Sequence, residues 1–477
     1  MYELATPVNI RTVIRYAGQL LVVIGGILLV PAIFAVFLGM LHDALIFTLT
    51  AIATGAAGYL LFRFIPVRDL EWKEAMVVAA LAFPLAGVVS AVPLALIAGI
   101  PYLDALFEAV SGITTTGLSV AQADPGQVFL FTRSWLQWVG GIGIVLLVLS
   151  VLVSPGLTAR RLFSPAIGDQ NLISGAKTTV MILFRIYAGI TLAIFALLLI
   201  AGMTPFDAIC QSFTTVSTGG FSTRPDSIAG FSGAFIPAII TIGCIMGATN
   251  FSLYYRVTRE RGAFFKSIQV RWFFGIALIG IVLLLIAMLP AADPATAGSV
   301  AVFQAFSALT TSGFSTTSIA LLPDAAKAVL AVLMWIGGGV GSTAGGIKVL
   351  RIAVLVSMVY LVFLRYFLPR EAVTPFRVGG IQVSEEDIFR IVAYFFLYIV
   401  VLVASALIFL FSGFPALDSL FEVSSALGTV GLSTGITGAG LATVLKVTLI
   451  ADMLLGRIEI LPLLIVVMPR TWWKRGA

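Results

Sequence analysis

Two cysteines, Cys210 and Cys244, and a single histidine, His42, are all that this 477-residue chain offers to disulfide or soft-metal chemistry. Both cysteines lie in apolar runs without metal-ligand spacing, and the histidine lies in a short loop, so disulfide, zinc and haem chemistry have no raw material. Charge is also scarce: Asp, Glu, Lys and Arg make up 10% of the residues against 60% hydrophobic ones, and the mean hydropathy is +1.10. Such a composition lies far outside that of soluble domains, so the solvent is lipid. The helices carry no paired aspartates, no HExxH and no Ser/His couple, which argues against an intramembrane enzyme and for a chain without an organic cofactor. There is no low-complexity region, and the longest polar insert, about 365–390, is too small for a nucleotide-binding domain. Any regulatory domain must then come from another chain.

What is present is long apolar helix. The first stretch, about Tyr16 to Met40, exceeds the roughly 7–15 residues of a signal-peptide core, and no small-residue cleavage site follows it, so it is expected to be a retained transmembrane helix. With a second stretch at about 44–63 it forms an N-terminal hairpin. The net charge of +6 follows from topology rather than from an anionic or nucleic-acid partner. If the polar Thr/Gly loops described next face outward, Arg133, Arg224, Lys327 and Lys446 lie outside and Lys348, Arg351 and Arg457 lie at membrane depth. The other 21 of the 28 basic residues lie inside, Arg63, Arg68, Arg160, Arg161, Arg256, Arg259, Arg261, Arg370 and Arg377 among them. This positive-inside excess places both termini in the cytoplasm.

Four segments, Asp104–Ser119, Asp207–Ser222, Val300–Ser315 and Asp418–Ser433, align without gaps on Gly117, Gly220, Gly313 and Gly431, at intervals of 103, 93 and 118 residues. Each ends in a Thr-x-Gly run: Thr115-Thr116-Gly117, Thr218-Gly219-Gly220, Thr311-Ser312-Gly313 and Thr429-Val430-Gly431. Small residues let a backbone extend without a side chain closing the axis, so such a run can aim carbonyl oxygens at a dehydrated cation. Before each run lies a stretch too short to span, at about 103–114, 206–217, 299–310 and 417–428. These read as pore helices that enter halfway and return, with the negative ends of their dipoles toward the centre. Asp104, Asp207 and Asp418 fall at the expected N-cap positions, as plain caps or ion ligands, and Val300 breaks the series.

Spanning helices are expected on either side of each short one, at about 74–99 and 128–153, 178–202 and 232–257, 267–290 and 326–364, and 386–413 and 441–468. The fold class is therefore an all-α polytopic membrane protein: four helix–pore-helix–filter–helix units in pseudo-fourfold arrangement plus the N-terminal hairpin, ten transmembrane helices in all. The divisions are 1–70 for the hairpin and 71–160, 161–262, 263–370 and 371–477 for units 1 to 4.

With the four Thr-x-Gly segments, the run Gly341-Ser342-Thr343-Ala344-Gly345-Gly346-Ile347-Lys348 in unit 3 and Met453-Leu454-Leu455-Gly456-Arg457-Ile458-Glu459 in unit 4, the chain resembles the Trk/Ktr/HKT superfamily of potassium transport proteins over essentially its whole length. The extra hairpin favours the TrkH type over the Ktr branch. The resemblance implies one pseudo-fourfold pore per monomer, a homodimer in the plasma membrane, for a bacterium the inner membrane, and a TrkA-like ring of cytosolic nucleotide-binding regulatory subunits. The more sodium-permeable members of the superfamily have Ser at the first filter position, whereas all four positions here are Gly, which sides with K⁺ as the transported ion.

Six of the ten residues Gly337–Gly346 are glycine, inside what is otherwise a spanning helix. At about 1 kcal/mol per interior Gly relative to Ala, that density breaks the helix. A phosphate-binding loop is excluded because GxxxxGK[ST] puts Gly directly before Lys, and Ile347 intervenes. The resembling family uses this segment as a gate beneath the filter, here with Gly345, Gly346 and Lys348; Lys348 either repels cations or snorkels to the inner surface. Arg457 lies inside its span, where a charge must face water, a carboxylate or a carbonyl. A pore-facing Arg457 that limits conduction is weighed against a pairing with Asp452 or Glu459. Glu108 and Glu422, in their pore helices, are mouth charges or ordinary hydrogen-bonded residues. The function expected is gated, channel-like K⁺ uptake driven by membrane potential; the alternative is K⁺/H⁺ or K⁺/Na⁺ symport.

Overall fold

The protein is described by a computed structural model over residues 7–66, 71–121, 125–153, 176–233, 235–260, 262–369 and 376–472, the side chains of 72, 144–153, 176, 177, 381, 461 and 470 excepted. The unit boundaries placed at 70, 160 and 370, and Arg68, Arg160, Arg161, Arg261 and Arg370 of the set expected to face inward, lie outside these residues.

The chain is an all-α polytopic protein; a two-residue ladder, Arg377–Val378 with Ile381–Gln382, is the only strand pair among the described residues. Helices α1 (Ile10–Phe37) and α2 (Leu41–Phe64) form the N-terminal hairpin. Glycines let them touch backbone to backbone: a Cβ on Gly18 would sit 2.8 Å from the Gly58 carbonyl oxygen, and one on Gly58 would sit 2.5 Å from that of Gly18. Pro31 lacks the N–H that would bond the Ile27 carbonyl, and the Trp135 indole N–H donates to that carbonyl instead, at 3.0 Å. The proline thereby creates the polar contact that ties the hairpin to the first unit.

Four units follow. The first has α3 (Trp72–Ala98), the short α4 (Tyr102–Ile113) and α5 (Gln127–Val153). The second has α6 (Ala176–Ile200), α7 (Pro205–Val216) and α8 (Ile236–Ala248), extended by α9 (Phe251–Arg259). The third has α10 (Ile268–Met288), α11 (Pro294–Leu309), α12 (Asp324–Ile336) and α13 (Val349–Arg365). The fourth has α14 (Glu385–Phe411), α15 (Ala416–Leu427), α16 (Thr443–Ile458) and α17 (Ile460–Val467).

Six unbroken helices among the described residues are long and apolar enough to cross a membrane, Ile10–Phe37, Leu41–Phe64, Lys73–Ala98, Thr178–Ile200, Ile268–Met288 and Glu385–Phe411. The expected continuous helices over 232–257 and 441–468 are instead interrupted, and the one over 326–364 breaks at its glycine-rich run as expected. In unit 2 the chain bends by 90° between α8 and α9, with the Asn250 side chain accepting from Ser252 N to start the new helix. In unit 3 it departs at Gly337 and rejoins at Val349; in unit 4 it breaks at Glu459, whose φ is +68°.

Three short helices begin within one residue of the expected start, and that of unit 3 begins about five residues early, at Pro294. Pro101, Thr204 and Pro415 are the N-caps, so Asp104, Asp207 and Asp418 sit in the first turn, and the third helix starts at Pro294 under an Asp293 cap that accepts from Thr296 N. The aspartates instead take ion pairs. Asp104 pairs with Lys446 at 2.5 Å and Asp418 with Lys327 at 3.1 Å, each contributed by the second helix of the preceding unit, while Asp207 pairs with Arg224 at 3.2 Å.

Candidate functional site

Each short helix runs straight into its Thr-x-Gly segment, and the same hydrogen bonds recur four times. The two N–H groups of Thr115-Thr116 bond to the Gly112 and Ser111 carbonyls, those of Thr218-Gly219 to Thr215 and Thr214, those of Thr311-Ser312 to Ala308 and Ser307, and those of Thr429-Val430 to Ala426 and Ser425. Donors are thereby spent on the helix behind, and the carbonyls of the four threonines accept no hydrogen bond among the described residues. The turn needs a left-handed residue: Thr115, Thr218, Thr311 and Thr429 have φ of 55°, 53°, 56° and 50°. A β-branched residue there is a genuine outlier, and its repetition in four copies marks a conformation imposed by the surroundings.

The glycines close the arrangement into a cycle. A Cβ on Gly117 would lie 2.2 Å from the Gly219 carbonyl oxygen, one on Gly220 2.0 Å from that of Ser312, one on Gly313 1.9 Å from that of Val430, and one on Gly431 2.3 Å from that of Thr116. Unit 1 therefore abuts unit 2, unit 2 unit 3, unit 3 unit 4, and unit 4 unit 1. All four threonines are fully buried. The Thr115 and Thr429 hydroxyls have no hydrogen-bond partner among the described residues, whereas those of Thr218 and Thr311 engage the loop between α12 and α13.

A matching model, "TrkH: Cation transport protein", covers residues 76–472. The chain belongs to the TrkH family. Membership places it among cation transport proteins rather than enzymes, and it is an integral membrane protein. It is 30% identical to the Trk system potassium uptake protein TrkH of Halomonas elongata, over 98% of this chain and 100% of that protein. It is 31% identical to the protein of the same description from Salmonella typhimurium, over 97% of this chain and 99% of that one. The crystal structure of the potassium transporter TrkH from Vibrio parahaemolyticus superposes with a TM-score of 0.86 at 29% identity, covering 98% of this chain and 100% of that one.

The loop of unit 3 is anchored at its neck by Ile347 N to Trp335 O and Lys348 N to Ile336 O, both at 2.8 Å, and its tip reaches the base of the ring. Gly345 N donates to the Thr311 hydroxyl at 2.7 Å, and a Cβ on Gly345 would lie 2.1 Å from the Thr429 hydroxyl oxygen. The Thr343 hydroxyl donates to the Val216 and Gly247 carbonyls, each at 3.0 Å, and lies 3.2 Å from the Thr218 hydroxyl. Gly346 and Gly337, with φ of 73° and 70°, pack against each other at the neck, where a Cβ on Gly346 would meet Gly337 Cα at 2.8 Å. The Lys348 ammonium turns back onto the loop and donates to the Ala344 carbonyl, so it does not snorkel away.

Arg457, buried at 3% exposure, donates to the Thr343 carbonyl at 2.6 Å and to the Gly140 carbonyl of α5 at 2.9 Å. The pairings with Asp452 or Glu459 do not form, because Asp452 accepts from Ser405 and Glu459 pairs with Arg351 at 2.7 Å. An Arg at membrane depth is thus satisfied by carbonyls, one of which belongs to the loop.

Glu108 and Glu422 are fully buried brackets rather than mouth charges. Glu108 accepts from Ser119, Val120 N, Ala121 N and Arg133, and Glu422 from Ser433, Thr434 and Thr437. The ungapped repeat puts Gln211 and Gln304 at the same position, a signal the sequence reading passed over. Gln211 repeats the bracket by donating to Ser222. Gln304 does not, and in its unit Ser315 is held by Ser227, Ile228 and Ala229 of unit 2. Gln137 was also missed, although a glutamine inside an apolar span is a visible signal; its amide meets the second Thr-x-Gly segment at Gly219 O.

Proposed function

We propose that this chain admits K⁺ to the cell through a selectivity filter formed by the four Thr-x-Gly segments, with the Gly337–Lys348 loop as gate. The observation that carries the reading is the closed cycle of four segments whose first two N–H groups turn outward to their helices, leaving carbonyl oxygens for an ion. The helix C-termini that abut the segments add a negative field that favours a cation. Potassium is the ion named for the Halomonas and Salmonella relatives. The ligands are the backbone and hydroxyl oxygens of Thr115, Thr116, Gly117, Thr218, Gly219, Gly220, Thr311, Ser312, Gly313, Thr429, Val430 and Gly431.

Contacts from the loop to Thr218, Thr311 and Thr429 support a gate lying across the inner end of the filter, latched by Arg457. In this reading the loop withdraws when a cytosolic, TrkA-like nucleotide-binding partner engages a homodimer of the chain, which sits in a bacterial inner membrane with both termini cytoplasmic.

Gly117→Ser tests the filter. Its φ of +91° disfavours an L-residue, and the new Cβ collides with the Gly219 carbonyl, so that oxygen must move. In liposomes containing purified protein, the K⁺/Na⁺ permeability ratio is expected to fall about tenfold, the loss of roughly 1.4 kcal/mol of discrimination. An unchanged ratio defeats the filter assignment. Reversal potentials that follow an imposed H⁺ or Na⁺ gradient would make the chain a symporter.

A further inference from the structure

Gly219 differs from the other glycines of the ring. Gly117, Gly220, Gly313 and Gly431 all have positive φ, but Gly219 is absent from the positive-φ residues, so its backbone conformation does not demand glycine. Its counterparts in the other three segments are Thr116, Ser312 and Val430, each with a side chain. What forbids a side chain at 219 is Gln137: a Cβ there would lie 2.4 Å from both Cδ and Oε1 of the Gln137 amide and 2.8 Å from its Nε2. Gln137 comes from α5 of unit 1, is fully buried, and fills from a neighbouring unit the volume that the segment's own side chain occupies elsewhere.

The amide does more than fill space. Its Nε2 donates to the Gly219 carbonyl at 2.6 Å, and its Oε1 accepts from Phe221 N at 3.2 Å, so one side chain grips the segment on both sides of Gly220. The carbonyl it holds is the one that abuts Gly117 and joins units 1 and 2. In the other three segments the middle carbonyl accepts no side-chain hydrogen bond among the described residues. One of the four ring oxygens is therefore fixed, and its lone pair shared, by a neutral donor inside a low-dielectric site, where such a bond is stronger than in water.

We propose that Gln137 is a positioning residue for ion selectivity: it sets the direction and field of the Gly219 carbonyl and so makes the filter asymmetric, and Gly219 is glycine to admit it. The proposal rests on the reading of the ring as a potassium filter.

Three variants in liposomes, with folded protein matched by size-exclusion, test it beside Gly117→Ser. Gln137→Leu keeps most of the volume but removes donor and acceptor, and is expected to lower the K⁺/Na⁺ permeability ratio about fivefold, the equivalent of one net hydrogen bond. Gly219→Ala is expected to reduce K⁺ flux at least about tenfold, because the overlap with an amide fixed at both ends has to displace the segment. Gln137→Ala with Gly219→Ala exchanges the two volumes; flux is expected to return to within about threefold of the parent while the ratio stays low, since the donor is still missing. A purely structural role would restore the ratio as well, and that result overturns the proposal. If Gly117→Ser lowers the ratio but Gln137→Leu leaves it within about twofold of the parent, the role of Gln137 fails and the filter reading stands. If neither variant moves the ratio, the filter reading itself fails. Should Gln137→Leu not fold, the comparison of Gly219→Ala with the double variant decides, and Gly219→Ala transporting as well as the parent overturns the proposal.

Discussion

On the proposed gating function, replacing Arg457 by Leu removes the latch between the loop and α5 while keeping an apolar body in its place. In the parent the guanidinium bonds the Thr343 carbonyl at 2.6 Å and the Gly140 carbonyl at 2.9 Å. A hydrogen bond from a charged donor contributes about 1.5–3 kcal/mol net. Withdrawal of the loop breaks only the bond to Thr343, because Gly140 sits on α5 and does not travel with the loop. The difference between latched and withdrawn states is therefore one such bond, and the loop keeps its ties through Gly345 N and the Thr343 hydroxyl. Taking the lower figure, the variant shifts the equilibrium toward the open state by about tenfold. The assay is K⁺-driven flux into liposomes without any cytosolic partner, with protein amount matched, where the parent rate is set by the closed loop. A rise of about tenfold with K⁺/Na⁺ selectivity retained is the expected result. An unchanged or lower flux from correctly folded protein refutes the latch, since removing a closing contact cannot then be rate-limiting.

Two other predictions concern the scaffold. Trp135→Phe leaves the Ile27 carbonyl that Pro31 freed without its donor, and is expected to cost about 1 kcal/mol, read as a fall of about 1–2 °C in thermal midpoint with selectivity unchanged; an unaltered midpoint would show that the bond contributes nothing. Glu108→Gln strands Arg133, which is 7% exposed and otherwise bonded only to neutral oxygens, whereas Glu422 has no ion pair among the described residues to lose. The first exchange is expected to cost about 3 kcal/mol and Glu422→Gln about 1 kcal/mol, measured as loss of monodisperse protein on heating; equal losses would contradict the assignment of Arg133 to Glu108.

How far the sequence could be read depended on whether a signal was local. The Gly337–Gly346 break was legible because glycine density acts on the residues that carry it. The break at Glu459 was also marked, by Pro462 shortly beyond it, but an apolar run on either side hid it from a reading by hydropathy. The bend at Asn250 was hidden in the same way. The early start of the third short helix was missed because the ungapped match begins at Val300, six residues past the real first residue, and the N-cap reading of Asp104, Asp207 and Asp418 failed because each lies two residues past the first residue of its helix. Nothing local could have told that those acids pair with Lys446, Arg224 and Lys327, two of which come from a neighbouring unit.

By itself the sequence determined that the chain lives in lipid, that it repeats one unit four times, and that each unit ends its short helix in a Thr-x-Gly run, because composition, period and small-residue spacing act within one segment. Only the tertiary structure decided the cyclic order in which each glycine meets its neighbour's carbonyl, the carbonyls that satisfy Arg457, and the insertion of Gln137 beside Gly219. Those depend on which distant segments approach within bonding distance, and side-chain size and hydrogen-bond capacity act there between units that the linear order keeps about a hundred residues apart.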